Sequence, residues 1–437
     1  MDIALPDLTF DPALKEWTLG LFEALRRMSF DGVGISRATY GEGESGAIAL
    51  VAEAARREGL QVAYDAAANL VVTLPGRRPE LPFVACGSHL DSVPQGGNFD
   101  GAAGVLAGLM ALVTLKRAGL APPRTLKLFV LRGEESAWFG KCYLGSSALF
   151  GRFDPADLDL RQSGTGRTLA ECMAAAGADA DILRRREPLV RAADIACFLE
   201  LHIEQGPVMV ARGIPVGIVT GIRGNVRHPK AVCRGEAAHS GAVPRWLRHD
   251  AVFATSDLVM RLDRHWEALL EQGQDLVLTL GIIGTNPEEH AMSRVPGEVR
   301  FSLEWRSQSA EVLEGFAGLL REEAAAVERS RGVAFDFGAA VPTPPAAMDP
   351  RLAAHLGTLC RARGIPYEFL PSGAGHDAAI FANEGVPTVM IFIRNEHGSH
   401  NPREAMDHDD FFLGAELLLH GLLTAPAALA ATGEGPA

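Results

Sequence analysis

Hydrophobic positions along the first half of the chain fall into two alternating periods. Short apolar runs at 62–64, 70–74, 82–86, 125–131 and 195–202 read as strands. The first two are separated by Asp65-Ala66-Ala67-Ala68-Asn69, a hairpin turn. Residues 101–117 carry apolar side chains at helical spacing and are closed by Gly119 and Pro122-Pro123. The Ala/Arg-rich stretch 163–193 reads as helices and loops. Strands separated by helices predict an α/β fold with a mostly parallel sheet.

Near Arg212-Gly213-Ile214-Pro215 the period changes. Strand-like runs at 215–222, 226–233, 275–283, 299–305 and 333–337 accompany two helical stretches, 250–272 and 310–331. That pattern predicts a small α+β layer, an open sheet with two helices on one face. From about Pro342 the α/β pattern returns, with a helix at 352–363 and a buried strand at 388–393. The expected organisation is a main domain in two parts, 1–211 and 336–437, split by an inserted domain at 212–335. The small-residue-rich tail after Leu423 is expected to fray. The longest helix-like apolar run, 105–115, falls short of the roughly 20 residues needed to span a bilayer.

Composition narrows the function classes. The 437 residues suggest two or three domains as a prior, which the change of period reduces to two. A hydrophobic content of 47% with 22% charged residues excludes a disordered chain. With 41 Lys+Arg against 54 Asp+Glu, the net charge of −13 argues against nucleic acid and anionic membrane as partners. A local arginine cluster can still take a small anion. The six cysteines form no C-x-x-C pair, so free thiols in a reducing compartment are expected, with no thiolate zinc site. The segment from Met1 to Asp7 lacks a basic, apolar signal pattern, and the expected location is cytoplasmic.

Four polar clusters each follow a strand candidate. They are Gly87-Ser88-His89-Leu90-Asp91 running on to Asp100-Gly101, Arg132-Gly133-Glu134-Glu135, His202-Ile203-Glu204-Gln205-Gly206-Pro207, and Gly398-Ser399-His400 running on to Glu404. Ligands of open α/β sheets bind beyond the carboxyl ends of strands, so four such clusters can converge. Three imidazoles (His89, His202, His400) and two carboxylates (Asp100, Glu135), with no cysteine, suit zinc, manganese, cobalt or nickel. A bridging carboxylate would hold two cations about 3.5–4 Å apart. In the Glu134-Glu135 doublet one carboxylate can bind metal while the other carries a proton from water to a leaving amine. A lone histidine or an adjacent glutamate pair says little; the conjunction of four clusters in one structural context carries the reading.

Six stretches resemble the dinuclear-metal M20-type amidohydrolases, and within them the hydantoinase/carbamoylase branch. That branch contains N-carbamoyl-L-amino-acid hydrolases, β-ureidopropionases and allantoate amidohydrolases. The stretches are the first two clusters, His202-Ile203-Glu204-Gln205-Gly206-Pro207, Gly235-Glu236-Ala237-Ala238-His239-Ser240-Gly241, Gly373-Ala374-Gly375-His376-Asp377-Ala378 and Ser399-His400-Asn401-Pro402. The resemblance runs from about residue 20 to 420.

It implies two divalent cations per subunit, zinc first, with manganese, cobalt or nickel as alternatives. His89, Asp100 and His202 would hold one; Asp100 would bridge to the other, held also by Glu135 and His400. Glu134 would be the general base and acid, and Asp91 would orient His89. The inserted domain would act as a lid and form the homodimer. His239 would reach the partner subunit's site and stabilise the oxyanion. Gln205, Arg306, Gly375 and His376 would line the pocket, Arg306 gripping a substrate carboxylate.

Two substrate-reading positions depart from the family. Ser293 stands thirteen residues before Arg306, where relatives carry asparagine, and a charged loop around Arg394 offers a second anion grip or a plain loop charge. The lid turn 239–243 also lacks the family's threonines. The implied reaction is hydrolysis of a linear ureido or amide C–N bond in a small carboxylate-bearing substrate, first an N-carbamoyl amino acid. The alternatives are an M20 aminoacylase or dipeptidase, and a silent binding protein on the same fold.

Overall fold

The computed structural model describes residues 8–431, which form two units: one made of the segments up to Ile222 and from Ala347 onward, the other of Arg223–Ala346.

The first unit is built on a mixed, largely parallel sheet. Its strands run in the order Gln61–Tyr64, Leu70–Leu74, Leu126–Leu131, Phe83–His89, Ile195–Ile203, Thr388–Ile393 and Val216–Ile222, the last also pairing with Tyr367–Ser372. The four central strands from Leu126–Leu131 to Thr388–Ile393 are mutually parallel. All seven residues of Phe83–His89 and all six of Thr388–Ile393 are buried, as expected for strands covered on both faces. Helix Ala102–Arg117 is buried over fourteen of its sixteen residues, from Ala102 to Leu115, which is why its sequence is apolar all round.

Three expectations are corrected here. The run 215–222 belongs to this sheet and not to the insertion, because Val216–Ile222 pairs with Thr388–Ile393 and Tyr367–Ser372. The second unit accordingly spans 223–346 in place of 212–335, and its far boundary moves because Val341–Thr343 pairs with Gly224–Arg234. Helix His408–Ala431 carries the chain past Leu423 in regular structure, with Pro426 inside it, where fraying was expected. This helix is also a longer apolar run than 105–115, and its residues His408–Ala430 are long and apolar enough to cross a membrane. More than half of its most apolar stretch, 56%, is buried, through side chains such as Phe411, Leu417, Leu418 and Leu422, so apolarity here serves the core. The expectations for 1–7 and for the tail beyond 431 lie outside the described residues.

The second unit is a six-stranded sheet centred on Gly224–Arg234 and Glu298–Ser307, with helices Ala251–Glu271 and Ala310–Arg331 packed on it. Glu298–Ser307 alternates strictly between buried and half-buried or exposed positions, the pattern of a one-sided sheet. Trp305 is fully buried at its centre, its indole N–H donating to Leu313 O at 3.0 Å.

Candidate active site

Because the four central strands are parallel, their carboxyl ends lie along one sheet edge. That edge carries His89, the Arg132–Glu135 turn, His202 and Gln205, and the segment that leads from Ile393 to His400. Asp100 joins them from the loop that enters helix Ala102–Arg117.

Two imidazoles are held in one tautomer. His202 Nδ1 lies 2.9 Å from Ile203 O, while its Nε2 accepts the Gly101 N–H at 3.1 Å. His89 Nδ1 faces Asp91, 3.1 Å from its backbone O and 3.2 Å from Oδ1. Each ring is therefore held at Nδ1 by an outer acceptor and turns its Nε2 inward, toward Asp100. Asp100 Oδ1 sits 3.4 Å from His89 Nε2 and 3.3 Å from His202 Nε2, buried and without a hydrogen-bond donor. Three potential ligand atoms converge on one point, an arrangement that fits a bound cation.

The second group is Asp100, Glu135 and His400, with His400 Nε2 3.4 Å from Asp100 Oδ2 and 3.2 Å from Glu135 Oε1. Hydrogen bonds to those two carboxylates push His400 up to about 11. Burial opposes the charging of His89 and His202, yet Asp100 overrides it and both stand above the ordinary histidine value. A site that binds protons this tightly when empty is a site that attracts positive charge.

Glu134 is in neither group, although its Oε2 lies 4.0 Å from His89 Nε2. Burial first, and then the neighbouring Glu135 charge against the attraction of His89, hold its carboxyl well above the usual range. The doublet is aimed from behind: Asp91 accepts the N–H groups of Glu134 (3.2 Å) and Glu135 (3.1 Å) and the Thr39 hydroxyl (2.6 Å). Asp91 thus orients His89 and the doublet together. The buried Arg132–Glu44 pair, 2.7 Å apart, anchors the same turn, with Gly133 N–H donating to Glu44. Gly101, at φ +65°, is required here, since a Cβ would meet His89 Nε2 at 2.6 Å.

The pocket residues divide. Gln205 reaches the centre, its Nε2 donating to Asp100 Oδ2 at 2.7 Å. Both Gln205 and His400 occupy the left-handed region, at φ 62° and 59°, a strain that tends to collect at functional sites. Two residues expected at the pocket are engaged within the fold. His376 is 1% exposed, its ring lies 4.4 Å from that of His202, and its Nε2 is engaged by the Ser372 hydroxyl at 2.9 Å. Arg394, read as a second anion grip or a plain loop charge, donates from its Nε to Asp410 at 2.7 Å.

Burial holds His376 well below the ordinary histidine value, so the native ring is neutral. The unfolded chain takes up that proton first as pH falls below about 6.5. Native stability then drops by about 1.4 kcal/mol per pH unit from this group. Urea unfolding of the metal-free protein at pH 7 and 5.5 is expected to show a smaller acid loss in His376→Asn than in wild type.

Sequence reasoning missed Tyr143. A Cβ on Gly375 would lie 1.7 Å from its hydroxyl, so Gly375 is there to seat this half-buried ring. Gly375→Ala is expected to cost about 1–3 kcal/mol in thermal or urea unfolding. Tyr143→Phe in the same chain should recover part of that loss, since the next obstacle, the ring Cζ, is 3.0 Å away. The only signal in sequence was the Gly375 requirement itself, which names no partner.

In the second unit, Ala238–His239 pairs with Arg294–Val295, and Ser240 N–H donates to Ser293 O at 2.8 Å, so His239 and Ser293 are neighbours. His239 Nδ1 accepts the N–H groups of Gly241 and Ala242, both at 3.2 Å, which leaves the ring proton on the exposed side, at Nε2. Arg306 lies on the Glu298–Ser307 strand with an ion pair to Glu304 at 3.1 Å.

The profile of peptidase family M20/M25/M40 matches residues 85–424. The chain is 34% identical to the allantoate amidohydrolase of Escherichia coli K12, over 82% of this chain and 85% of that one. It is also 34% identical to the N-carbamoyl-L-amino acid amidohydrolase of Geobacillus stearothermophilus, over 89% and 92%. Among solved structures, a hydantoinase/carbamoylase family amidase from Burkholderia multivorans superposes with a TM-score of 0.85 at 26% identity, covering 97% of this chain and 99% of that one. The chain is thus a member of peptidase family M20/M25/M40, an amidohydrolase on its hydantoinase/carbamoylase branch.

Proposed function

We propose that the substrate is an N-carbamoyl amino acid or a closely related ureido acid, cleaved at its linear C–N bond with two divalent cations per subunit. The observation that carries this reading is the convergence of Asp100, His89 and His202 on one buried point, beside a second group built on the same aspartate. His89, Asp100 and His202 would hold one ion, and Asp100, Glu135 and His400 the other; zinc suits the donors best, and manganese, cobalt or nickel fit as well. Cations held there supply Lewis-acid polarisation of a carbonyl and acidify water. Glu134 removes the proton from the attacking water and returns it to the departing nitrogen, for which a raised carboxyl value is suited. Gln205 lies against Asp100, where the substrate head would be read.

From the second unit, His239 would donate its Nε2–H to the oxyanion formed in the partner subunit's site, and Arg306 would take the substrate carboxylate. A homodimer through this unit is supported by its exposed apolar side chains, including Trp246 at 80%, Ile282 at 68% and Phe253 at 63% exposure. The six unpaired cysteines support a reducing, cytoplasmic setting.

A panel of N-carbamoyl-L-amino acids, N-carbamoyl-β-alanine, allantoate and N-acyl amino acids tests the substrate class. Ammonia release from the carbamoyl members is expected, and turnover confined to N-acyl members, with free carboxylic acid as product, would replace this reading with an aminoacylase. Mixing inactive Glu134→Gln and His239→Ala chains should restore activity, since each hybrid dimer regains one intact site. No recovery under conditions where subunits exchange would place His239 outside the shared site.

A further inference from the structure

Neither loop that carries the shared metal-site residues is regular structure. Asp100 sits in the turn between Phe83–His89 and helix Ala102–Arg117, and His400 between two short paired strands, Asn395–Glu396 and Ala405–Met406. Asp100 must nonetheless place one oxygen between two imidazoles and the other beside His400. Glu404, more than 300 residues away in sequence, is the group that ties these loops together. Its Oε1 accepts the N–H of Phe99 at 2.8 Å and of Asp100 at 3.2 Å. Its Oε2 meets the Ser399 hydroxyl at 2.6 Å, and that same hydroxyl contacts Asp100 Oδ2. Glu404 is 8% exposed and its carboxylate presses on Gly97, where a Cβ would lie 2.0 Å from its Cδ. The charge of the fully buried Arg37 acts on Glu404, while the Arg37 side chain holds Leu90 O and Asn98 Oδ1 on the approach to the Asp100 turn.

We infer that Glu404 is a positioning residue for the metal centre: it clamps the Asp100 turn to the His400 loop and so sets the separation of the two ligands that define the second cation's place. The inference rests on the two-cation reading above. Glutamine at 404 keeps the size of the side chain and can keep its carbonyl on the two amide N–H groups, but its NH2 then donates to Ser399 Oγ, which commits the hydroxyl proton wholly to Asp100 Oδ2, a potential ligand oxygen, and removes the carboxylate charge from the turn.

The test is a titration of wild-type, Glu404→Gln and Ser399→Ala proteins with Zn²⁺ against a competing chromophoric chelator, paired with melting curves of metal-free and zinc-loaded samples. Wild type is expected to take two equivalents. Glu404→Gln should hold the weaker one about 10–100-fold less tightly. The zinc-induced rise in melting temperature should shrink accordingly, with the metal-free melting temperature close to wild type. Ser399→Ala, which cuts the link but leaves Glu404 on the two amides, should show the same loss in smaller degree. Equal zinc affinities in all three proteins would overturn the inference. So would a Glu404→Gln that melts lower by the same amount with and without zinc. Wild type binding no zinc would instead remove the two-cation reading, and the inference with it.

Discussion

Replacing Glu134 with glutamine is expected to lower kcat by about 10²–10⁴-fold while zinc content and melting temperature stay at wild-type values. The amide matches the carboxyl in shape, so the buried pocket beside His89 remains filled. No potential metal group among the described residues includes Glu134, so the loss falls on proton transfer and not on metal capture. What disappears is a single basic oxygen that accepts a proton from water and delivers it to nitrogen. On the rate scale the expected loss corresponds to about 2.7–5.5 kcal/mol of barrier. Steady-state kinetics with metal analysis of the same preparation decides the point: a metal-replete Glu134→Gln enzyme with undiminished kcat would remove Glu134 from the mechanism. The neighbouring substitution, Glu135→Gln, should behave differently, losing metal along with activity, because Glu135 Oε1 faces His400 Nε2.

Exhaustive chelation should abolish turnover, and zinc, manganese or cobalt added back should restore it. With the cations removed, His89 and His202 stand within 3.4 Å of Asp100 Oδ1, and that carboxylate holds protons on both rings. His400 then keeps a proton up to about pH 11, which blocks the nitrogen that should bind metal. Restoration should therefore be slower and weaker at acid pH, where cations must displace protons from all three imidazoles. The chelated protein should also melt at a lower temperature. Free metal at 1,000 times its Kd contributes about 4 kcal/mol of native stability. Activity that persists after metal analysis shows an empty protein would overturn the metal assignment.

Much of this was legible in the chain because it depends on local chemistry. Periodicity alone placed the hairpin, the helices later found at Ala251–Glu271 and Ala310–Arg331, and the buried strands that end in polar clusters. Residue type and context singled out the five potential ligands and the doublet, since few side chains hold divalent cations and they must stand at strand ends to meet. Helices Pro12–Ser29 and Glu42–Arg57 and strand Tyr367–Ser372 went unread: the helices mix apolar and charged positions, and the strand is only partly buried.

What the tertiary structure alone decided is which side chains share a space. Val216–Ile222 and Gly224–Arg234 are separated by Arg223 alone and look alike as apolar runs, yet backbone pairing assigns them to different sheets. Arg394 and His376 look like pocket residues until Asp410 and His202 are found against them. Tyr143 carries no periodic or motif signal, and Glu404 closes a polar cluster that assigns it no role, because their meaning lies in contacts with Gly375 and with the Phe99–Asp100 amides, hundreds of residues away. The sequence by itself therefore determined the reaction's chemical parts, which are properties of residue types at strand ends. Only the folded chain decided their aim, because orientation comes from hydrogen bonds and close packing between segments remote in sequence.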